Sequence, residues 1–386
     1  MNTFGKTLLL LGSTLTVMAG ATVSPALPQI YAHFQGQESA ELMVRLILTL
    51  PALFIALASP FVGMLLDNWG RRPVLLCSLA LYGIAGSSAF VAESLTAILC
   101  GRALLGVAVA GIMSSITTLI GDYFQGQRLN HMMGLQSAFM AFGGVAFLMM
   151  GGIFADIGWQ WPFLVYSVAL LILPLAYFHL PEPASIRHNI EALVTPPPPY
   201  RDIAIIYWLA FWGMAGFYLI PVQLPFYLHH LATISATTIG LMMAASALVT
   251  AIVSVGYARI IKQFSLRRIL RFAHIVMAAG YLGLVYASSL FHVLLCIALI
   301  GIGFGLWMPS LNVWLMKKVP IAIRGKVIGG FTTCFFLGQF FSPIMSQPLI
   351  DTFGVASSFL AAALMMGIIL IGFAVVERHS KKVKEI

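Results

Sequence analysis

Apolar residues do not alternate along this chain; they run in long stretches. Read between charges, Pro and Gly, the pattern yields twelve of them, at roughly 6–29, 42–66, 73–92, 96–121, 132–155, 160–180, 203–228, 235–258, 268–288, 291–316, 325–350 and 355–376. Each approaches or exceeds the roughly 20 mostly apolar residues that a helix needs to cross a bilayer. The connections at 93–95 and 289–290 are very short, which forces successive helices to be antiparallel. The pattern predicts an all-α membrane protein with twelve transmembrane helices. Its longest polar interruption is 181–202, where Pro196, Pro197, Pro198 and Pro199 run together. Polyproline is an extended, semi-rigid spacer. The expected organisation is therefore a six-helix bundle at 1–180, a linker at 181–202 and a second six-helix bundle at 203–386.

Composition supports this. Of 386 residues, 60% are hydrophobic and 9% charged, against about 25% charged in a soluble domain. A soluble enzyme and a disordered chain are both excluded. The net charge of +9 invites a nucleic-acid reading, but its distribution argues otherwise. With the N-terminus placed in the cytoplasm, 19 of the 21 Lys and Arg fall in cytoplasmic segments. That is the positive-inside pattern, and it puts both termini in the cytoplasm. The exceptions, Arg45 and Arg102, lie inside spans. Lys6, the apolar stretch after it and Ala19-Gly20-Ala21 also fit a signal peptide. That stretch runs on to Pro28, longer than a signal core, so a retained first span is expected. The cysteines Cys77, Cys100, Cys296 and Cys334 lie in apolar runs without metal or disulfide spacing. No metal or cofactor is expected.

The halves echo each other. Arg128 and Gly134 follow span four with the same spacing that separates Arg324 and Gly330 after span ten. Paired six-helix halves are the architecture of transporters that rock around a midplane site. The connection between spans two and three, Gly63-Met64-Leu65-Leu66-Asp67-Asn68-Trp69-Gly70-Arg71-Arg72-Pro73, is the most specific stretch. On these residues the chain resembles the major facilitator superfamily, and in organisation its bacterial twelve-span drug:proton antiporters. The resemblance implies two pseudo-symmetric six-helix bundles and transport by alternating access. In physical terms, Gly63 permits close helix approach, Gly70 supplies a turn, and Asp67 is placed to cap a helix start such as that near Gly325. Arg71 reaches a second carboxylate, with Asp122 the natural partner. Together with Arg72 these residues form a candidate conformational latch. The second-half copy keeps Gly256, Arg259, Arg267 and Arg268 but has no acid.

Arg102 is the leading candidate for substrate binding or proton relay, since an Arg at this depth costs at least ~2 kcal/mol unless paired or hydrated. Its spacing to Gly106 resembles the family's fourth-helix motif. Arg45 follows Glu41 by four residues, so a local ion pair and a cavity role both stand. All 12 acids lie in loops or at span ends. Ala19 stands where many drug exporters of the family carry an acid, so either coupling uses another group or the protein is a facilitator. Span five carries Gly134, Gly143, Gly151 and Gly152, similar to the family's antiporter motif, with Phe147 and Leu148 in place of its Gly-Pro. Gln136, Phe139, Phe217, Tyr218, Gln223, Trp307, Asn312 and Gln339 are further candidates to line the pathway. Pro221 and Pro225 bracket Gln223 and would break span seven.

No nucleophile–base cluster or phosphate loop appears, so an enzyme is not expected. The expected function is secondary active transport of a small molecule across a bacterial inner membrane, by a monomer. Export of amphipathic or anionic compounds, such as drugs, siderophores or carboxylate-rich metabolites, is favoured, with proton coupling. Embedded Arg without embedded acid disfavours cations. A facilitator, an importer and a non-transporting sensor remain as alternatives.

Overall fold

The computed structural model describes residues 3–37, 39–182 and 199–382. Pro196, Pro197 and Pro198, with Arg187, His188 and Glu191, lie outside the described residues, as does Glu38; Arg324 and Gly325 are described by their backbone alone. Among the described residues, twelve helices are long and apolar enough to cross a membrane. We number them α1 Thr3–Phe34, α2 Ala40–Trp69, α3 Arg71–Phe90, α4 Leu95–Tyr123, α5 Gly126–Ile157, α6 Trp161–His179, α7 Tyr200–Leu231, α8 Ala236–Gln263, α9 Leu266–Val285, α10 Leu290–Lys318, α11 Lys326–Phe353 and α12 Ala356–Phe373. Most run past the apolar stretches; α5 extends from 126 rather than 132. Hydropathy reads the thickness of the bilayer, whereas helical hydrogen bonding continues into the polar margin.

Helix starts follow local chemistry. Ser94, Ser235 and Ser289 accept the backbone N–H of Ala97, Thr238 and His292, each at 3.2 Å. These serine caps begin α4, α8 and α10. Gly70, at φ +95°, makes the corner between α2 and α3, a backbone region that a side chain resists.

Two apolar cores form. The first is built almost wholly from residues 8–180, the second from 206–369 with Leu148. Leu9, Leu15 and Met18 of α1 sit fully inside the first, so the stretch with signal-peptide features is an integral wall of the bundle. The halves repeat each other's internal bonding. Both α1 and α7 are broken, at 22–23 and at Tyr218. Tyr82 of α3 donates to the Leu15 carbonyl of α1, and Tyr281 of α9 donates to the Gly216 carbonyl of α7.

With twelve spans the chain ends share one face, here the termini face; the other is the far face. Polar ties across the halves sit from the two helix breaks outward to the far face. Asp156 bonds to Ala236 and Thr237, Arg45 to Gln223 and Gln347, and Ser24 to the Pro221 carbonyl. On the termini face Arg71 pairs with Asp122, and Lys318 with Asp202, each within one half.

Candidate functional site

Arg102 is held where two helices fail. Pro51 has no N–H, so the carbonyl of Ile47, one turn earlier, has no partner in α2. Arg102 Nε donates to that carbonyl at 2.7 Å. The break in α1 leaves the carbonyl of Ala19 without a helical donor. Arg102 Nη2 and the Tyr166 hydroxyl both donate to it, the latter at 3.0 Å, and Nη1 donates to Tyr166 Oη at 2.9 Å. The approach of α4 to α2 needs Gly106, where a Cβ would lie 2.8 Å from Phe54 Cβ. Arg102 is 0% exposed. Each of its hydrogen-bond partners is a neutral oxygen, so a guanidinium is buried with polar ligands but without a counter-ion among the described residues. Burying a charge is tolerated only with such hydrogen bonding.

The second half meets this cluster through Tyr218, at the break of α7. A Cβ on Gly20 would lie 2.7 Å from the Tyr218 hydroxyl, and the Arg102 and Gln339 side chains lie near that hydroxyl. The fold therefore brings Arg102, Tyr166, Tyr218 and Gln339 together from α4, α6, α7 and α11. Gln136 bonds to Ser13 at 3.1 Å within the first half. Phe217 stacks on Phe304 at 3.6 Å, and Phe304 on Trp307 at 5.2 Å. Trp307 is buried behind this stack against Gly213, so it backs the aromatic wall rather than lining a space. Its Nε1 has no partner among the described residues. Phe139 is half-buried and Asn312 exposed.

Arg45 stands apart from Arg102. It is 1% exposed, pairs with Glu41 at 2.7 Å, and donates to Gln223 at 2.9 Å and Gln347 at 2.6 Å. Gln223 donates on to Ser346, and Gln347 to Asp351. The ion pair and a buried interhelical role thus coexist in one side chain. Above it, on the far face, lies a cavity of about 390 Å³ lined by Tyr31, Glu41, Gln347 and Asp351. A second cavity of about 410 Å³ opens on the termini face beside Lys6, Arg128 and His131.

The residues around the α2–α3 corner form an ion cluster. Arg71 Nε meets Asp122 Oδ2 at 3.0 Å. Glu182 accepts the backbone N–H of Arg71 and of Arg72, each at 2.7 Å, and so caps α3. Arg72 bonds to the Tyr177 carbonyl and lies over that ring at 4.8 Å. Asp67 is exposed; the helix start near Gly325 that it was expected to cap falls outside the described side chains. The close approach expected at Gly63 is absent: a Cβ there meets nothing within 4 Å, and the same holds at Gly134. Both lie towards the termini face, where their surroundings are open. Gly143, Gly151 and Gly152 are contact points. A Cβ would lie 2.9 Å from Thr14 Cβ, 3.0 Å from Thr22 Cα and 2.5 Å from the Ala236 carbonyl respectively. Pro225 deprives the Pro221 carbonyl of its helical donor, and Ser24 supplies one from the other half.

Sequence reasoning missed Tyr166, which closes the Arg102 cluster, along with Gln347 and Ser346. It also missed Asp156 as a group bonding across the halves, and His274. His274 is fully buried, donates from Nδ1 to the Leu270 carbonyl at 2.7 Å, and leaves Nε2 without a partner among the described residues. For Tyr166 a signal existed: the two helix breaks each need an outside donor. For His274 nothing in its neighbours marks it.

Comparison with known proteins agrees with this architecture. The family model for the Major Facilitator Superfamily matches residues 9–343 and 203–385. Multidrug resistance protein 1 of Bacillus subtilis is 25% identical over 308 residues, covering 76% of this chain and 77% of its own. The class C tetracycline resistance protein of Escherichia coli is 27% identical over 356 residues, covering 86% of each. Among solved structures, the inward-open xylose transporter XylE of E. coli aligns with TM-score 0.77 at 15% identity, covering 95% of this chain and 94% of its own. The human organic anion transporter MFSD10 aligns with TM-score 0.72 at 17% identity, covering 97% and 100%. These structures share the fold. Twelve spans in two repeated halves and a family match along the chain lead to one conclusion: this protein belongs to the major facilitator superfamily and is a secondary transporter, not an enzyme.

Proposed function

We propose that this transporter exports small anionic or amphipathic molecules by alternating access. The observation that carries the reading is Arg102: a buried guanidinium whose hydrogen-bond partners are all neutral. In a low-dielectric interior such a charge raises the potential of the space beside it. An anionic ligand near Tyr218 and Gln339 is stabilised by that field, and a cation is repelled. Arg102 acts as a field source and positions α1, α2 and α6; each of its three nitrogens already donates a hydrogen bond. The termini-face cavity beside Lys6, Arg128 and His131 gives an anion a favourable approach. The drug-resistance relatives put export ahead of uptake.

The reading places the protein in a bacterial inner membrane with both termini cytoplasmic, from the basic segments, and working as a monomer. The halves 1–180 and 203–386 rock as units joined by 181–202. Proton coupling is part of the proposal. Facilitated transport is the second reading, favoured by Ala19 and by acids confined to loops and span ends. Flux in proteoliposomes, with and without an imposed pH gradient, separates the two. Acidic, neutral and cationic compounds run in parallel test the charge preference. Accumulation driven by the gradient supports antiport; flux indifferent to it rules out proton coupling.

A further inference from the structure

The far face is closed where α5 meets α8. Gly152 and Gly240 let the two backbones touch: a Cβ on Gly240 would lie 2.5 Å from the Leu148 carbonyl and 3.2 Å from Gly152 Cα. One turn beyond Gly152, Asp156 projects over the first residues of α8. Its two carboxylate oxygens accept the N–H of Ala236 at 2.8 Å and of Thr237 at 3.0 Å. Ser235, the cap residue of α8, is occupied with Thr238. The helix therefore starts with one cap from its own chain neighbour and a second from the opposite half of the protein. A carboxylate also meets the positive end of the α8 dipole. Asp156 belongs to the first half and Ala236 to the second, so these bonds cannot survive separation of the halves at this face.

We propose that Asp156 is the far-face latch of the transport cycle: its bond to the start of α8 holds this face shut, and releasing it is required for opening. The Arg71–Asp122–Glu182 cluster on the other face lies within one half and does not perform this task here. The contact is specific to one state by construction, so it biases the equilibrium between conformations rather than substrate recognition. The proposal does not depend on the charge of the substrate.

The test reads conformation directly. Val91, in the first half, and Tyr286, in the second, are 77% and 72% exposed and lie at the far face. Each is changed to Cys and spin-labelled, in a full-length background with Cys77, Cys100, Cys296 and Cys334 replaced by Ala. Pulsed dipolar spectroscopy in nanodiscs then gives the distance distribution. Asp156→Ala is expected to raise the ratio of long to short distances about five-fold, and Asp156→Asn, which keeps the shape and folds most safely, about two- to three-fold. Glu93→Ala, another acid at this face, serves as the control and leaves the distribution unchanged. Wild-type distributions in both Asp156 variants would overturn the proposal, whatever the outcome of flux assays. An equal shift in Glu93→Ala would also overturn it, because the effect would then be general surface charge.

Discussion

Arg102 Nε donates to the carbonyl of Ile47 at 2.7 Å, an acceptor that exists because Pro51, four residues on, offers it no N–H. The charge that sets the proposed substrate preference is thus also a splint for a proline-broken helix. Arg102→Gln leaves the Ile47 carbonyl without its donor in a dry interior, at about 1–3 kcal/mol, while the Ala19 carbonyl keeps the Tyr166 hydroxyl. Adding Pro51→Ala restores an N–H to the Ile47 carbonyl. The double variant should therefore lose less thermal stability than the sum of the two single variants. Thermal unfolding in detergent measures this, and strict additivity would show that the pairing is incidental.

Ser24 and Pro225 stand in the same relation, but across the halves. Ser24 donates to the Pro221 carbonyl, which Pro225 cannot reach. Ser24→Ala should destabilise by about 1 kcal/mol, and this cost should fall towards zero in a Pro225→Ala background. The double-mutant cycle isolates the coupling. Ser254, which bonds at 3.1 Å to the Gly305 carbonyl freed by Pro309, offers an independent repeat within one half.

Glycines of the span-five motif divide by surroundings. A Cβ on Gly152 would lie 2.5 Å from the Ala236 carbonyl and 2.9 Å from Thr237 Cα, whereas one on Gly134 meets nothing within 4 Å. Gly134→Ala should leave folding yield and flux near wild type, or stabilise α5 slightly. Gly152→Ala should separate α5 from α8 and cost about 1–3 kcal/mol, as overpacking does. Paired unfolding and flux assays check this; equal effects at both positions would contradict it.

Glu182 caps α3 by accepting two backbone N–H groups at 2.7 Å. Glu182→Ala should cost about 1 kcal/mol of stability. Because Glu182 ties the end of α6 to the α2–α3 corner, hydrogen exchange should quicken at Arg71 and Arg72 before it does in the core. Unchanged exchange at these amides would contradict the cap.

Much of this was legible in the sequence because the bilayer imposes it. Twelve apolar stretches became twelve spans, and the pairing of Arg71 with Asp122 follows from charges at adjoining helix ends. Arg102 and Arg45 stood out because buried cations are costly. The ends of helices such as α5 were not legible, since hydropathy ends where the lipid ends and hydrogen bonding does not. Nor were partners from distant spans. Tyr166 reads as an ordinary apolar aromatic until the break in α1 exposes Ala19, and Asp156 reads as a loop acid until α8 arrives beside it. Trp307 reads, with Phe139, Phe217 and Tyr218, as an aromatic that lines the pathway, yet it is fully buried against Gly213. A proline inside a helix marks an acceptor four residues earlier, and three such carbonyls are met by Arg102, Ser24 and Ser254.

The central claim is that the uncompensated charge of Arg102 selects anions. It is tested most directly by flux through proteoliposomes of one amphipathic scaffold made in acidic, neutral and cationic forms. Wild type, Arg102→Lys and Arg102→Gln are compared at matched reconstitution. The account predicts that wild type moves the anion fastest, that Lys keeps the order at reduced rate, and that Gln lowers anion flux at least ten-fold while sparing the neutral form, the loss expected when about 1.4 kcal/mol or more of charge stabilisation goes. A wild-type preference for the cation, or an order unchanged by Arg102→Gln, would contradict it.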